Sequence, residues 1–276
     1  MRIAVLGTGT GERERLPPAI AALASPGIEP VLINTRIEVF AHTQADRALV
    51  DLGHLDAAIG AEREGFDALF VNTFADYGLA GMKSALSIPV VGAGEAALQL
   101  APMLGERFVI ITVWPRSLGH LYRERLRETR SEARCAGVIH VSPEAELARL
   151  GSDDGVMQRM ARGEGEVVDR LVEASVEAIE HHRADTVVLG CTCMAPVAPA
   201  LQTRLPAPVI ESSRAGYLAT ESLLRLGLTQ SRLAYARPGD ASLERLRRVL
   251  DAQDVTRTDA SGENSEACPV CLPDER

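Results

Sequence analysis

The sequence predicts an α/β protein with two pseudo-symmetric three-layer domains, parallel sheets and an active site in the cleft between them. Short apolar, β-rich runs alternate with segments of helical spacing, a pattern typical of parallel α/β sheets. The chain also contains a repeat, because Asp67–Thr73 and Asp185–Cys191 have the same pattern of an acid followed by an apolar run. Pro89-Val-Val follows the first segment by 16 residues, and Pro208-Val-Ile follows the second by 17. We interpret the repeat as a duplication; chance similarity of two strand–helix–strand units is the alternative.

The individual elements follow from local patterns. The predicted strands are short apolar runs: Arg2–Leu6, Pro30–Ile33, Ala68–Val71, Ile88–Val91, Phe108–Val113, Val138–Val141, Thr186–Leu189 and the end of Pro206–Ile210. The predicted helices have apolar residues at helical spacing or follow a turn: Ala41–Gly60, Leu79–Leu86, Glu95–Leu104, Leu118–Thr129, Glu164–His182, Met194–Leu205, Ala215–Leu226 and Ser242–Leu250. We expect residues 1–97 plus 212–250 to form the first domain and 98–211 the second. The polar, charged stretch 251–276 is expected to be disordered.

Composition limits the class of protein. With 276 residues, 46% hydrophobic and 24% charged, the chain is typical of a soluble globular protein with a large core. A net charge of −9 argues against nucleic acid, and no apolar run reaches the ~20 residues of a membrane span. The chain begins with a strand rather than a signal-peptide pattern. We therefore expect a cytoplasmic homo-oligomer that acts on a small molecule without a membrane partner.

Lysine and cysteine usage restrict cofactor and metal chemistry. Lys83 is the only lysine, so pyridoxal-phosphate chemistry would depend on that residue alone. The five cysteines are expected to be free thiols in a reducing compartment. Cys268 and Cys271 form one CxxC, which supplies two of the four ligands of a structural zinc, so we interpret them as incidental. The helical residues His42 and His54 are interpreted as solvent-exposed. No metal site is expected.

The leading site candidate is Cys191, which comes just after a predicted strand and just before a predicted helix. In open α/β sheets, ligands bind at the carboxyl ends of strands. A helix N-terminus also stabilises a thiolate. The repeat places Thr73 at the equivalent position, and we expect the two side chains to face each other across one cleft.

A second candidate is the turn Gly7–Gly11, which follows the first strand. It is neither a full GxGxxG fingerprint nor a P-loop, since no lysine follows its glycines. Backbone N–H groups and the hydroxyls of Thr8 and Thr10 would suit a carboxylate or small polar ligand. A purely structural tight turn is the alternative.

Two segments resemble a known enzyme family. Thr73–Leu79, TFADYGL, is similar to C-F-G-D-P-G-L, and Val188–Met194, VLGCTCM, is similar to V-L-G-C-A-G-M. Pro89–Ala97 and Thr112–Arg116 also match. The chain thus resembles the aspartate/glutamate/hydantoin racemase superfamily, nearest the hydantoin racemase branch, over most of residues 1–250.

The resemblance implies a cofactor-independent enzyme with two α/β domains and the site between them. Such racemases use two cysteines on opposite faces of a substrate carbon, one as base and one as acid. Cys191 takes the second cysteine's role, and Thr73 stands where the first is expected. An alcohol is far less acidic than a thiol of pKa ~8.5, so Thr73 is a poor base. Cys193 lies on the Cys191 side and is interpreted as a packing residue.

These observations define one leading hypothesis and three alternatives. The leading hypothesis is a racemase or epimerase of an amino acid, hydantoin or related carbon acid, with Cys191 and Thr73 as catalytic residues. The expected substrate-binding residues are Thr8, Thr10, Asn72, Phe74, Thr112 and Thr192. The alternatives are a one-cysteine decarboxylase of a malonate-like acid, an isomerase of a maleate-like acid, and an inactive binding protein.

Overall fold

The computed structural model describes residues 1–7, 16–37, 39–150, 152–163 and 165–259. Within these ranges the chain forms two four-stranded parallel sheets, which confirms the predicted α/β class. The first sheet has the order β2-β1-β3-β4, with β1 (Arg2–Leu6), β2 (Glu29–Ile33), β3 (Ala68–Val71) and β4 (Val90–Gly92). The second has the order β6-β5-β7-β8, with β5 (Phe108–Thr112), β6 (Cys135–His140), β7 (Thr186–Leu189) and β8 (Val209–Ile210).

The two sheets repeat the same backbone contacts. Asp67 N–H donates to Arg2 O at 2.9 Å, and Asp185 N–H donates to Arg107 O at 2.8 Å. Each Asp side chain also accepts a main-chain N–H at the start of the neighbouring strand, Asp67 from Arg2 and Asp185 from Arg107. The matched prolines also make equivalent bonds, since Pro89 O accepts the Leu69 N–H and Pro208 O accepts the Val187 N–H. These equivalent contacts support the duplication.

Helices cover both sheets. The helices are α1 (Pro18–Ala21), α2 (Gln44–Arg63), α3 (Leu79–Ala85), α4 (Ala93–Leu104), α5 (Gly119–Glu128), α6 (Val156–Ala161), α7 (Gly165–His182), α8 (Ala198–Arg204), α9 (Ser212–Leu226) and α10 (Asp240–Asp259). Short 3-10 helices cover Arg116–Leu118, Glu132–Arg134, Glu144–Arg149 and Thr192–Val197. Among the described helices, none combines the length and apolar character that crossing a membrane requires.

Each sheet has a core on both faces, since side chains alternate along its strands. On β1, Ile3 and Val5 pack in one cluster with Tyr217 of α9, while Ala4 and Leu6 pack in another with Met82 of α3. The second sheet is covered in the same way, by α7 on one side and by α4 and α5 on the other. Both units are therefore three layers thick.

The last helices return to the first sheet. Helix α9 follows the second sheet in the chain but contacts β3 and β4 of the first. The predicted domain boundary at residue 97 lies inside α4, whose residues Ala93 and Leu98 pack in the clusters of the first and second sheets respectively.

Two expected elements differ in the structure. The helix predicted over Met194–Leu205 is split, because Pro196 lies in the 3-10 helix and the α-helix begins only at Ala198. A proline has no N–H to donate to a preceding carbonyl, so it fits a helix start better than its interior. Helix α10 extends to Asp259 and so continues into the stretch 251–276 for which disorder is predicted. Helix α10 contacts α2, its Leu250 is buried, and its Asp251 pairs at 2.8 Å with Arg36 of the connection between β2 and α2. Residues 260–276 lie outside the described part of the chain.

Candidate active site

A cavity lies between the two sheets, where the segments after β3, β5 and β7 meet. It contains about 750 Å³ of empty space, part of it open to solvent. The described residues that line it are apolar or neutral: Val39, Phe40, Ala41, Val50, Asn72, Thr73, Phe74, Ala75, Tyr77, Trp114, Leu118, Leu121, Tyr122, Gly190, Cys191, Thr192 and Cys193. Its mostly apolar lining, with a few polar groups, is typical of small-molecule sites.

Thr73 lies on the first side of this cavity, two residues beyond the end of β3. The residue is 7% exposed, and its hydroxyl oxygen has no hydrogen-bond partner among the described residues. Leaving a buried hydroxyl unpaired costs free energy, so such groups in a cavity suit a ligand or water partner. Thr73 therefore offers a hydroxyl to whatever occupies the cavity.

Cys191 lies on the second side, two residues beyond the end of β7. It starts the 3-10 helix Thr192–Val197, and its sulfur accepts the Cys193 N–H at 3.2 Å. A disulfide joins Cys191 to Cys193. The expectation that these two cysteines are free thiols is thus wrong, whereas Cys193 also packs against a core cluster of the second sheet. An extended residue followed by a tight turn brings positions 191 and 193 together, with Cα atoms 5.2 Å apart.

Asn72 and Thr192 connect the two sides of the cavity. The Thr192 hydroxyl donates to the main-chain carbonyl oxygen of Asn72 at 3.1 Å. The Ser213 hydroxyl donates to the Asn72 side-chain oxygen at 2.8 Å, which ties the same residue to the start of α9. Asn72 N–H also donates to Leu6 O at 2.9 Å. These bonds hold the segments that carry Thr73 and Cys191 at a fixed spacing.

Thr112 does not line the cavity. It is fully buried, its oxygen accepts the Trp114 N–H at 3.1 Å, and it lies 2.5 Å from the Tyr122 hydroxyl. Because the Tyr122 O–H donates to Gly190 O at 3.0 Å, the Thr112 hydroxyl is the donor in the hydrogen bond between Thr112 and Tyr122. Burial raises the pKa of Tyr122, which keeps this hydroxyl neutral. The expectation that Thr112 binds substrate therefore does not fit its position. Its hydroxyl instead bonds to Tyr122, which bonds to Gly190 and so holds the turn before Cys191.

Asp76 supports the loop that carries Thr73. Its carboxylate accepts the Gly94 and Glu95 N–H groups at the start of α4, at 2.9 and 2.7 Å, and pairs with Arg125 at 2.8 Å. Burial is the largest influence and raises the pKa of Asp76 to about 6, although Arg125 acts to lower it. A Cβ on Gly92 would lie 2.2 Å from this carboxylate, which explains a glycine there. The acid of the TFADYGL segment thus has a structural role.

Aromatic side chains form one wall of the cavity. Phe40, in the connection between β2 and α2, packs against Trp114 after β5 with ring centroids 5.5 Å apart. Tyr77 lines the same cavity and packs edge-on against buried His54. The interpretation of His54 as solvent-exposed is therefore wrong, since its helix turns that residue inward.

The structure brings together most of the expected site residues. Thr73, Cys191, Asn72, Phe74 and Thr192 all line the cavity. Thr8 and Thr10 lie outside the described residues. Sequence reasoning missed Val39–Ala41, Val50 and Tyr122, because only the packing of distant segments brings them to this place. No group of three or more His, Cys, Asp or Glu side chains in the described ranges could hold a metal ion.

Known proteins share this fold and sequence pattern. The family described as Asp/Glu/Hydantoin racemase matches residues 3–220. Hydantoin racemase of Paenarthrobacter aurescens is 31% identical over 195 residues, which cover 70% of this chain and 77% of that protein. Allantoin racemase from Klebsiella pneumoniae has a TM-score of 0.74 at 28% identity, covering 87% of this chain and 94% of that one. Unliganded arylmalonate decarboxylase, at 19% identity and a TM-score of 0.52, covers 86% and 96% and shows a shared fold alone.

Two parallel sheets with a neutral cavity at the ends of matched strands define an α/β protein built around a small-molecule site. The chain belongs to the Asp/Glu/hydantoin racemase family, because the family match spans most of its length.

Proposed function

We propose that the protein is a cofactor-independent racemase of a neutral, hydantoin-like carbon acid with an apolar substituent. The observation that carries the proposal is the placement of Thr73 and Cys191 two residues beyond equivalent strands, both on one uncharged cavity. A free amino acid or a dicarboxylate would bring charges, which need charged or strongly polar partners when buried. The lining suits a neutral ring better, and the names of the hydantoin and allantoin racemase relatives agree with such a substrate.

Cys191 is the acid/base in this proposal. In the reduced protein its thiolate removes the proton from the ring carbon next to the carbonyl, and the Cys193 N–H, which donates to the Cys191 sulfur in the disulfide-bonded structure, is placed to stabilise that thiolate. The electron pair moves toward the carbonyl oxygen and gives an enolate. Neutral donors around the cavity stabilise the oxygen's charge.

Thr73 serves the other side of the ring. Its unpartnered hydroxyl holds a water molecule that returns a proton to the carbon, and the hydroxide formed then takes the proton from the Cys191 thiol. This restores thiolate and water, so the cycle balances without a second thiol. An alcohol-bound water is a weaker acid/base than a thiol, and we therefore expect unequal rates from the two enantiomers.

Proton exchange tests the proposal. Reduced protein is incubated in D2O with D- or L-5-benzylhydantoin, and NMR follows deuterium at the ring carbon while polarimetry follows optical rotation. Both signals should exceed the spontaneous rate, and Cys191→Ala should return them to it. Absence of exchange from either enantiomer of alkyl and aryl hydantoins would refute the proposal.

A one-cysteine decarboxylase is the second candidate, and Thr73 in place of a thiol is the observation that favours it. Such an enzyme would release CO2 from a substituted malonate and use the Cys191 thiol only to protonate the resulting enediolate. CO2 release from phenylmalonate without exchange into hydantoins would support this candidate over the racemase.

A further inference from the structure

Cys191 and Cys193 flank Thr192 and are joined by a disulfide. Both side chains line the cavity and are partly exposed, so a small thiol reagent can reach them. The turn itself brings them together, with no movement of a distant segment. The same short segment therefore contains the proposed acid/base and a second thiol within bonding reach.

The surroundings of Cys191 favour this thiol as the one that attacks an oxidant. The Cys193 N–H donates to its sulfur at 3.2 Å, and a hydrogen bond of this kind favours the thiolate, the nucleophilic form. Cys135 contrasts with it among the described cysteines, since it is unpaired and burial raises its pKa to about 11. Oxidation should therefore be directed to Cys191.

We propose that Cys193 is a resolving cysteine: mild oxidation joins it to Cys191 in a disulfide that withdraws the acid/base and inactivates the site until it is reduced. The effect on turnover rests on the proposed function of Cys191, whereas the bond chemistry does not. A sulfur held in a disulfide carries no proton and cannot form a thiolate, so it cannot exchange a proton with the substrate. The site would then be a reversible redox modification site.

The oxidant in this proposal is a low-molecular-weight disulfide such as oxidised glutathione. The Cys191 thiolate attacks one sulfur, the glutathione S–S bond breaks, and one reduced glutathione leaves. Cys193, after losing its proton to solvent, attacks the Cys191 sulfur and displaces the second glutathione. The two cysteines lose two electrons and two protons, and one oxidised glutathione becomes two reduced ones.

The chain is well suited to a direct test. Cleavage after arginine places the three groups of cysteines on separate peptides: 184–204 with Cys191 and Cys193, 135–149 with Cys135, and 258–276 with the tail pair. The full-length protein is treated with oxidised glutathione or with a phosphine reductant, alkylated with iodoacetamide and digested without reduction. Turnover of 5-benzylhydantoin is measured on the same samples.

The wild-type peptide 184–204 should lose the mass of two hydrogen atoms, resist alkylation and regain both thiols on reduction. Turnover should fall at least about tenfold and recover with the thiols. In Cys193→Ala, the same peptide should instead gain one glutathionyl group. A Cys135→Ala control should respond like the wild type.

Three results would separately contradict the resolving role of Cys193, the inactivation by the disulfide and the proposed function. A glutathionyl group on wild-type Cys191 with no internal disulfide would overturn the resolving role of Cys193. Disulfide formation with unchanged turnover would overturn the inactivation. Disulfide formation in a protein that turns over no hydantoin in either state would overturn the proposed function and leave the bond chemistry supported.

Discussion

The Thr192 hydroxyl donates a hydrogen bond across the cleft to the main-chain carbonyl oxygen of Asn72, at 3.1 Å. Asn72 follows β3 of the first sheet, and Thr192 follows β7 of the second. Their neighbours in sequence are Thr73 and Cys191. This bond therefore directly joins the two segments that carry Thr73 and Cys191.

Thr192→Val should remove this bond while keeping the shape of the side chain. We expect the free energy of unfolding to fall by about 1 kcal/mol, the usual net contribution of a hydrogen bond. Turnover should fall more, by roughly tenfold, because small displacements of reacting groups are costly. Urea unfolding and steady-state kinetics measure the two effects. Thr192→Ser keeps the donor and should restore both, and equal behaviour of the two variants would contradict this role.

Cys191→Ala should abolish turnover, since it removes the proposed acid/base. In the reduced protein, Cys191 should also react with iodoacetamide faster than Cys135, whose pKa is raised to about 11 by burial. Peptide mapping after brief alkylation measures the ratio. Cys135→Ala is the matched control and should retain turnover. Faster labelling of Cys135 would show that Cys191 is not an activated thiol.

Thr73→Cys should make the two directions of racemisation more alike. In the wild type we expect unequal kcat values for the two enantiomers, compensated by KM, because the equilibrium constant between free enantiomers is one. A second thiol would raise the slower kcat. The opposite control, Thr73→Val, should depress the slower direction further, and polarimetry from each pure enantiomer measures both rates of each protein. Unchanged rates in Thr73→Cys would mean that position 73 does not act on the ring carbon.

Arg125→Met should strongly destabilise the protein, because it leaves the Asp76 carboxylate buried without its cation. Breaking such a buried pair costs about 3 kcal/mol or more. Arg204→Met is the matched control, since the Arg204 and Asp169 side chains are 44% and 57% exposed. Its cost should be below about 1 kcal/mol. Urea midpoints at neutral pH compare the two, and similar losses would show that burial of the Arg125 pair has little effect.

His54→Asn should flatten the dependence of stability on pH. Burial lowers the pKa of His54 to about 4, and its Nδ1–H donates to Val50 O at 3.0 Å. Between about pH 6.5 and 4 the unfolded chain binds a proton that the folded chain does not, so stability falls as pH falls, by up to about 3 kcal/mol. Asparagine keeps a donor but does not titrate. Urea unfolding at pH 7, 5.5 and 4.5 gives the slope of the free energy of unfolding against pH for each protein. Exposed His42→Asn is the control and should keep the wild-type slope. Equal slopes in the wild type and His54→Asn would contradict the lowered pKa of His54.

The sequence predicted those features that local patterns encode. The matched Asp and Pro spacings identified two equivalent units, and Thr73 and Cys191 lie on one cavity because equivalent strand ends meet there. It did not predict Tyr122 or Val39–Ala41, since the approach of distant segments places them. The sequence also suggested a substrate-binding role for Thr112, because nothing in a strand's apolar pattern shows that the Thr112 hydroxyl bonds to Tyr122.

The matched order of the two sheets also affects how the protein handles mirror-image ligands. Because the two sheets have the same strand order, Thr73 and Cys191 occupy equivalent positions, and identical groups at these two positions would act on left- and right-handed molecules more nearly alike. Oxygen at Thr73 and sulfur at Cys191 break that equivalence beside the bound carbon. In a racemic pool, the occupied sites should then hold mainly one hand, although the pool itself remains racemic.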